Sequence, residues 1–194
     1  MKKIILAGFG YLGKFIEQQA GFNEKKVLYK LSRNPDKHRN GFGKHVEVDF
    51  DKEKFDITEI LDESTIIYMA PPNKDRDRDP RLENFLNNTK KSHIEKIVYI
   101  STSGVYGDCG GSSVTENAEL KPLTSRAKKR VIAEKMIMEY SAVYNTNYVI
   151  LRVPGIYGLG RLPLSKIRER EPLVIRDECK ITNLINVEDL ARVV

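Results

Sequence analysis

The sequence predicts an α/β fold in which a parallel β-sheet carries helices on both faces. Short apolar segments of strand length alternate with segments whose apolar residues recur at helical spacing, from the first residues onward. Strands separated by helices pair in parallel through right-handed crossovers, and the helices then cover both faces of the sheet. A glycine-rich turn, Gly8-Phe9-Gly10-Tyr11-Leu12-Gly13, joins the first strand to the first helix. Together these observations predict a doubly wound parallel sheet of the Rossmann type.

The individual elements follow from periodicity and from residues that stop or cap them. Asp56 and Glu59 are typical of a capping box that opens a short helix. The fourth strand stops at Ala70-Pro71-Pro72, because proline has no N–H to donate to a ladder. The predicted strands are 3–7, 27–31, 46–48, 65–69, 96–100, 148–151 and the strand end 182–186. The predicted helices are 11–20, 56–61, 81–91, 124–144 and one that starts at 187.

Composition excludes several classes of protein. The chain has 194 residues, 40% of them hydrophobic, and no apolar run near the roughly 20 residues that cross a bilayer. The apolar run at 4–7 is too short for a signal peptide. We therefore expect a cytoplasmic protein with no membrane partner. The net charge is +6, but basic and acidic residues alternate across 74–81. This alternation indicates a solvated loop, so we expect no nucleic-acid partner.

The cysteines and histidines do not form a metal-binding pattern. Cys109 and Cys179 lie far apart in sequence, and the three histidines lie far from both cysteines and from each other. A zinc site needs clustered ligands, so we expect no metal. Two widely separated cysteines predict free thiols in a reducing compartment.

The glycine turn has the sequence context of a dinucleotide site. In this fingerprint Gly8 makes the tight turn, Gly10 lets the backbone approach a pyrophosphate, and Gly13 lets the helix pack on the strand. The helix that begins at Tyr11 and Leu12 supplies free N–H groups and a positive dipole for phosphates. A glycine turn without a ligand is the alternative.

The residues after the second strand indicate which dinucleotide binds. An acidic residue there would hold the ribose 2′-hydroxyl of NAD, but this strand ends in Leu31-Ser32-Arg33-Asn34. Arg33 is suited to pair with a 2′-phosphate, and Ser32 can donate a hydrogen bond. The sequence therefore favours NADP(H) over NAD as cofactor. A surface arginine with no ligand is the alternative interpretation of Arg33.

Three further segments follow in order along the chain: 100–107 (Ile-Ser-Thr-Ser-Gly-Val-Tyr-Gly), 150–158 (Ile-Leu-Arg-Val-Pro-Gly-Ile-Tyr-Gly) and 183–191 (Asn-Leu-Ile-Asn-Val-Glu-Asp-Leu-Ala). In this order they resemble motifs of the extended short-chain dehydrogenase/reductase family of NAD(P)-dependent epimerases and dehydratases. The closest resemblance is to a divergent branch marked by segments 68–72, 106–111 and 161–164. It implies cofactor contacts from Ala70, Pro71, Pro72, Ser101, Pro154 and Gly155.

The resemblance also implies how the chain is organised. Residues 1–151 would form the NAD(P)-binding domain, and 152–194 would contribute the sheet-completing start of a substrate lobe whose larger part is missing. Relatives dimerise through their long helices, which suggests a homodimer here. The implied partner is a small-molecule substrate.

The catalytic pair of the family is replaced in this sequence. The family has a Tyr-x-x-x-Lys pair with a glutamate four residues after the lysine, and counting back from Glu134 places Arg126 and Arg130 at the pair. Helical spacing puts both arginines on one inward face with Ala133 and Ile137, where they would bind an anion or a ribose hydroxyl. The alternative is that both extend to solvent.

The substitution leaves the acid/base role open. Arginine stays protonated, so Arg126 cannot accept a proton as a tyrosinate would. Thr102 matches the family's auxiliary hydroxyl, while Tyr106 and Tyr157 are replacement acids within packing motifs. Two functions therefore compete: an NADP(H)-dependent oxidoreductase or epimerase-like enzyme on a sugar-type or other small carbonyl or alcohol substrate, and a non-catalytic NADP(H)-binding sensor or docking module.

Overall fold

A computed structural model describes residues 2–19, 26–34, 41–73, 78–162, 164, 168–169 and 182–194. Cys179 and residues 74–77 of the predicted charged loop lie outside the described residues, as does Ala20 at the predicted end of the first helix. The elements, in chain order, are β1 (Lys2–Ala7), α1 (Tyr11–Gln19), β2 (Lys26–Ser32), β3 (Lys44–Glu47), α2 (Thr58–Leu61), β4 (Ser64–Tyr68), α3 (Pro80–Thr89), β5 (Ile94–Thr102), a 3₁₀ helix (Ser103–Tyr106), α4 (Ser125–Tyr144), β6 (Asn147–Val153), β7 (Gly155–Tyr157), β8 (Leu184–Asn186) and α5 (Val187–Val193).

The six long strands form one parallel sheet in the order β3-β2-β1-β4-β5-β6, and β7 pairs in parallel with β8. Each predicted strand of the main sheet is present within about two residues of its predicted ends. The predicted doubly wound parallel sheet is therefore confirmed.

Two apolar layers hold the helices on the sheet. One layer lies between the sheet and α2, α3 and α4, with Tyr68, Phe85 and Ile137 among its fully buried members. The other lies between the sheet and α1 and α5, and includes Leu6 and Leu190. Side chains of the central strands enter both layers, which is why these strands read as continuous apolar runs in the sequence.

Two local predictions need correction. The capping box at Asp56 and Glu59 is wrong: α2 begins at Thr58 behind Ile57, which makes no side-chain cap. The Asp56 carboxylate instead accepts a hydrogen bond from the Thr58 N–H at 3.0 Å, a local turn that competes with helix formation. Strand β7 is absent from the prediction because Pro154 interrupts the apolar pattern and the strand has only three residues.

The glycine turn is fixed by the end of β4. Gly8 has φ +84°, and a Cβ built on it would lie 2.6 Å from the backbone N of Ala70. The Met69 N–H donates to the carbonyl of Ala7 at 2.8 Å and continues the β1–β4 pairing up to this contact. The turn and the Ala70 segment therefore pack directly against each other.

We predict that Gly8→Ala lowers the free energy of unfolding by at least about 2 kcal/mol. The alanine would have to adopt a left-handed backbone conformation, and its Cβ would overlap the backbone of Ala70. Gly10→Ala is the matched control, because the nearest atom to its added Cβ is the Gly8 carbonyl oxygen at 3.7 Å. Chemical denaturation of both variants measures the difference. Equal stability of the two variants would contradict the close packing of Gly8 on Ala70.

Candidate functional site

The strand order places a crevice at the carboxyl edge of the sheet. From β1 the chain proceeds outward to β2 and β3, and it then crosses to β4, β5 and β6 on the other side. Ligands of doubly wound sheets bind where the order reverses, outside the carboxyl ends of the strands. Here that position lies between β1 and β4, where the glycine turn meets Ala70.

The glycine turn leaves room for a ligand at one position only among its three glycines. A Cβ at Gly13 would lie 2.8 Å from the Phe9 ring and 3.4 Å from the Met69 side chain, so this glycine serves helix packing. Gly10, by contrast, has open space beyond the Gly8 carbonyl. The backbone at Gly10 can therefore approach a ligand closely, as a pyrophosphate-binding turn requires.

Helix α1 supplies hydrogen-bond donors next to Gly10. The Lys14 N–H donates to the Gly10 carbonyl at 3.2 Å, so the N–H groups before Lys14 precede the regular helical bonds. The Leu12 side chain is buried, whereas the Tyr11 hydroxyl donates a hydrogen bond to the Leu159 carbonyl at 2.9 Å. Tyr11 thus ties the turn to the segment after β7.

The Ala70-Pro71-Pro72 segment forms the wall opposite the turn. Ala70 and Pro72 are buried, and Pro71 is exposed. The Pro71 carbonyl accepts a hydrogen bond from Arg81 Nη1 at 3.1 Å, which fixes the segment to the start of α3.

The ends of β2 and β3 carry polar groups at one side of the crevice. The Ser32 hydroxyl lies 2.9 Å from Nε2 of His45, and Arg33 is 60% exposed. Arg33 Nη1 is 3.5 Å from Oδ2 of Asp51, which Arg81 Nη2 contacts at 2.7 Å. Sequence reasoning missed Asp51 and Arg81, because they are thirty positions apart and only the fold brings them together.

On the other side of the crevice, a buried ion pair joins α4 to β6. The Glu134 side chain is 1% exposed, and its Oε2 is 2.9 Å from Nη2 of Arg152. Ser101 at the end of β5 donates its hydroxyl to Glu134, so the predicted cofactor residue Ser101 is a partner of this pair. Arg152 also donates from Nη1 to the Tyr106 hydroxyl at 2.9 Å and lies over the Tyr106 ring.

A cleft of about 910 Å³ opens beside the end of β5. Thr102 is the last residue of β5, directly before the first lining residue of the cleft, and its Oγ1 accepts a hydrogen bond from the Gly104 N–H at 3.3 Å. The cleft is lined by the 3₁₀ helix, the following loop, the two residues before α4 and the residue before β8: Ser103, Gly104, Tyr106, Gly107, Asp108, Cys109, Gly110, Gly111, Ser112, Ser113, Val114, Leu123, Thr124 and Asn183. Tyr157, the other tyrosine considered from the sequence, is 40% exposed on β7.

The two arginines of α4 occupy different environments. Arg126 is exposed, so the prediction of a shared inward face is wrong for this residue, which lies in the first turn of the helix. Arg130 is 6% exposed, and its Nη1 donates to the Tyr99 hydroxyl at 2.7 Å. The inward position of Arg130 is confirmed, and its partner is a buried side chain of the sheet.

Arg130 belongs to a buried polar group beneath α4. Burial raises the pKa of Tyr99 to about 12, with Arg130 opposing the shift, so Tyr99 stays protonated. Asp79 at the start of α3 is fully buried, and burial raises the pKa of its carboxyl while Arg130 lowers it. The charge of Arg130 is thus directed toward the protein interior.

Lys129, which sequence reasoning missed, is also buried. It is 5% exposed, and its Nζ donates to the Asn73 carbonyl at 2.9 Å, just after the proline segment. The adjacent basic residues 128–130 obscured it, since only the helix phase distinguishes Lys129 from Lys128.

Pro154 lies between β6 and β7, and Gly155 is the first residue of β7. Gly155 is exposed, and a Cβ there would lie 2.7 Å from the Leu184 side chain. Its observed role is therefore the close approach of β7 to β8. Among the described residues, every helix is too short or too polar to span a bilayer.

Comparison with known proteins agrees with this architecture. The model of the NAD dependent epimerase/dehydratase family matches residues 4–194. This chain belongs to that family, and the resemblance to extended short-chain dehydrogenases/reductases is confirmed.

Two curated relatives match part of the chain. An uncharacterized UDP-glucose epimerase of Bacillus subtilis, YtcB, is 33% identical over 82 residues, 42% of this chain and 26% of its own length. A putative UDP-arabinose 4-epimerase of Arabidopsis thaliana is 29% identical over 83 residues, 40% of this chain and 19% of its own length. The matched segments thus span about a quarter or less of these relatives.

Solved structures share the fold over nearly the whole chain. UDP-glucose 4-epimerase of Thermus thermophilus in complex with NAD has a TM-score of 0.80 at 19% identity, covering 99% of this chain and 72% of that chain. UDP-glucuronic acid 4-epimerase of Bacillus cereus in complex with NAD has a TM-score of 0.79 at 21% identity, with coverages of 99% and 72%.

Proposed function

We propose that this protein binds NAD(P) at the glycine turn and acts as an oxidoreductase or epimerase-like enzyme on a sugar-type or other small carbonyl or alcohol substrate. The observation that carries the proposal is the open space at Gly10, located where the strand order reverses and next to the first amides of α1. Gly8, Gly10, Tyr11, Leu12 and Gly13 would form the phosphate side of the site. Ala70, Pro71 and Pro72 would form the opposite wall.

The polar groups after β2 support a preference for NADP(H), with NAD as the weaker ligand. No acidic residue stands at the end of β2, and Arg33 is exposed there with Ser32 beside it. A guanidinium makes strong charge-assisted hydrogen bonds to phosphate oxygens. Arg33 would therefore bind a 2′-phosphate.

The cleft beside β5 would receive the substrate. The curated relatives' names refer to UDP-sugar epimerases, which supports a sugar-type substrate. When bound, the nicotinamide supplies hydride exchange with a substrate carbon. Thr102 would orient the reacting oxygen, and Ser101, Pro154 and Gly155 would lie on the nicotinamide side.

The arginines of α4 would serve binding. Arg126, exposed in the first turn of α4 and two residues after Thr124 of the cleft lining, would hold a carbonyl oxygen or a substrate phosphate. Arg130 would contribute its positive charge from below the site, because its guanidinium already donates a hydrogen bond to the Tyr99 hydroxyl.

A second function is a non-catalytic NADP(H)-binding sensor or docking module. The observation that favours it is the pair Arg126 and Arg130, neither of which accepts a proton at working pH. The buried Tyr99–Arg130 contact strengthens this alternative, since it engages one member of the pair. A cytoplasmic location, a homodimer and the division at residue 151 remain predictions.

We predict that Arg33→Ala weakens NADPH binding about tenfold or more and leaves NADH binding nearly unchanged, because only NADPH carries the charged 2′-group. Nicotinamide fluorescence titration gives both dissociation constants. Arg192→Ala, which removes an exposed arginine paired with Asp189 on α5, is the control. Equal losses for the two cofactors would reject the assignment of Arg33.

Turnover separates the two functions. With at least one member of a panel of nucleotide sugars, aldehydes and sugar alcohols, we expect the parent protein either to change NADP(H) absorbance, as an oxidoreductase does, or to form an epimer detected by chromatography, since epimerisation leaves the cofactor unchanged overall. Thr102→Val should lower that rate about tenfold or more at unchanged cofactor affinity, since it removes the orienting hydroxyl. Tight NADPH binding without turnover across the panel would favour the non-catalytic function, and failure to bind either cofactor would reject both.

A further inference from the structure

Four donor atoms on three residues, one after β2, one after β4 and one in α3, converge on the carboxylate of Asp51, which follows β3. Oδ1 accepts hydrogen bonds from Arg81 Nε at 2.8 Å and Asn73 Nδ2 at 3.2 Å. Oδ2 accepts from Arg81 Nη2 at 2.7 Å and Arg33 Nη1 at 3.5 Å. A carboxylate offers about four lone-pair sites, so Asp51 is fully engaged.

The four contacts differ greatly in strength. Arg81 holds Asp51 through two short, parallel hydrogen bonds, the strong fork geometry of an arginine–carboxylate pair. The Arg81 hydrogen bond lowers the pKa of Asp51, so the carboxylate is charged throughout the neutral range. The Arg33 contact is long and its side chain is 60% exposed, so Arg33 is the partner that can leave.

This arrangement gives Arg33 an internal anion at the position where a ligand phosphate would approach it. A 2′-phosphate must replace Asp51 as the partner of Arg33, and it then lies near a like charge that Arg81 keeps in place. A ligand with a 2′-hydroxyl experiences neither effect. Because all four acceptor positions are in use, Asp51 is also a poor acceptor for that hydroxyl.

We infer that Asp51, held by Arg81, is a specificity-determining residue that limits the preference for NADP(H) over NAD(H) by competing with the 2′-phosphate for Arg33. The inference rests on the proposed cofactor function of the same site. It differs from that proposal in direction: Arg33 favours the phosphate, while Asp51 opposes it. Removing the Asp51 charge therefore increases selectivity.

The test uses Asp51→Asn, which keeps the shape of the side chain and removes its charge. Isothermal titration calorimetry with 2′,5′-ADP and 5′-AMP compares adenosine fragments with and without the 2′-phosphate, and NADPH and NADH give the same comparison for the whole cofactors. We expect 2′,5′-ADP and NADPH to bind about three- to tenfold more tightly, in keeping with Coulomb interactions between exposed charges a few ångströms apart in water. Binding of 5′-AMP and NADH should stay within about twofold.

Two controls separate this effect from others. Asp189→Asn makes the same charge change at an exposed ion pair on α5 and should leave all four affinities unchanged. In an Arg33→Ala background, Asp51→Asn should give a smaller gain, because the competed partner is absent. Thermal unfolding without ligand verifies that each variant is folded.

The outcomes are distinct. Tighter binding confined to the 2′-phosphorylated ligands supports the inference. Unchanged, weakened or equally improved binding of all ligands by Asp51→Asn overturns it. If the parent protein binds none of the four ligands, the proposed cofactor function itself fails, independently of Asp51.

Discussion

The contact between Gly8 and Ala70 is the constraint on which the crevice depends. The chain turns at Gly8 with φ +84°, and the space that a side chain would need is filled by the backbone of Ala70. This contact brings the β1–α1 turn against the end of β4, at the point where the strand order reverses. Gly10, which has open space beside it, and the first residues of α1 follow in the same turn, so this backbone contact positions both the wall of the crevice and its candidate hydrogen-bond donors.

On the substrate side, the Glu134–Arg152 pair has a comparable organising role. A buried carboxylate costs free energy unless it is paired and hydrogen-bonded, and Glu134 has both Arg152 and Ser101 as partners. Arg152 extends the connection to Tyr106, which lines the cleft. The pair therefore connects α4, β5, β6 and the 3₁₀ helix, and it keeps the cleft in a fixed position relative to the strand ends.

Local sequence signals predicted the fold well, because a parallel sheet covered on both faces imposes long apolar runs on its strands. The glycine turn was equally visible, since backbone conformation and close packing restrict Gly8 and Gly13 to one residue type. The capping box at Asp56 failed because a carboxylate two residues before a helix can bond a single N–H without capping it. The exposure of Arg126 could not be predicted because helical periodicity shows which residues share a face of the helix. It does not show whether the sheet extends far enough to cover that face in the first turn.

Features that depend on contacts distant in sequence could not be predicted. The Asp51–Arg81 fork and the Lys129–Asn73 hydrogen bond each join residues from different elements, and neither has a local spacing that signals it. Both surround the predicted cofactor crevice. The site thus has a core that sequence specifies directly and a surrounding set of charges that only the assembled sheet reveals.

Hydrogen–deuterium exchange with and without NADPH tests the central claim most directly, because the amides of Tyr11, Leu12 and Gly13 precede the regular helical bonds of α1. The account predicts that saturating NADPH slows exchange in the peptide covering the glycine turn and in the peptide covering Ala70 to Pro72. Exchange at the start of β6, Asn147 to Val149, which lies at the edge of the sheet opposite the crevice, should change little. NADPH binding that leaves the glycine turn unprotected would contradict the account.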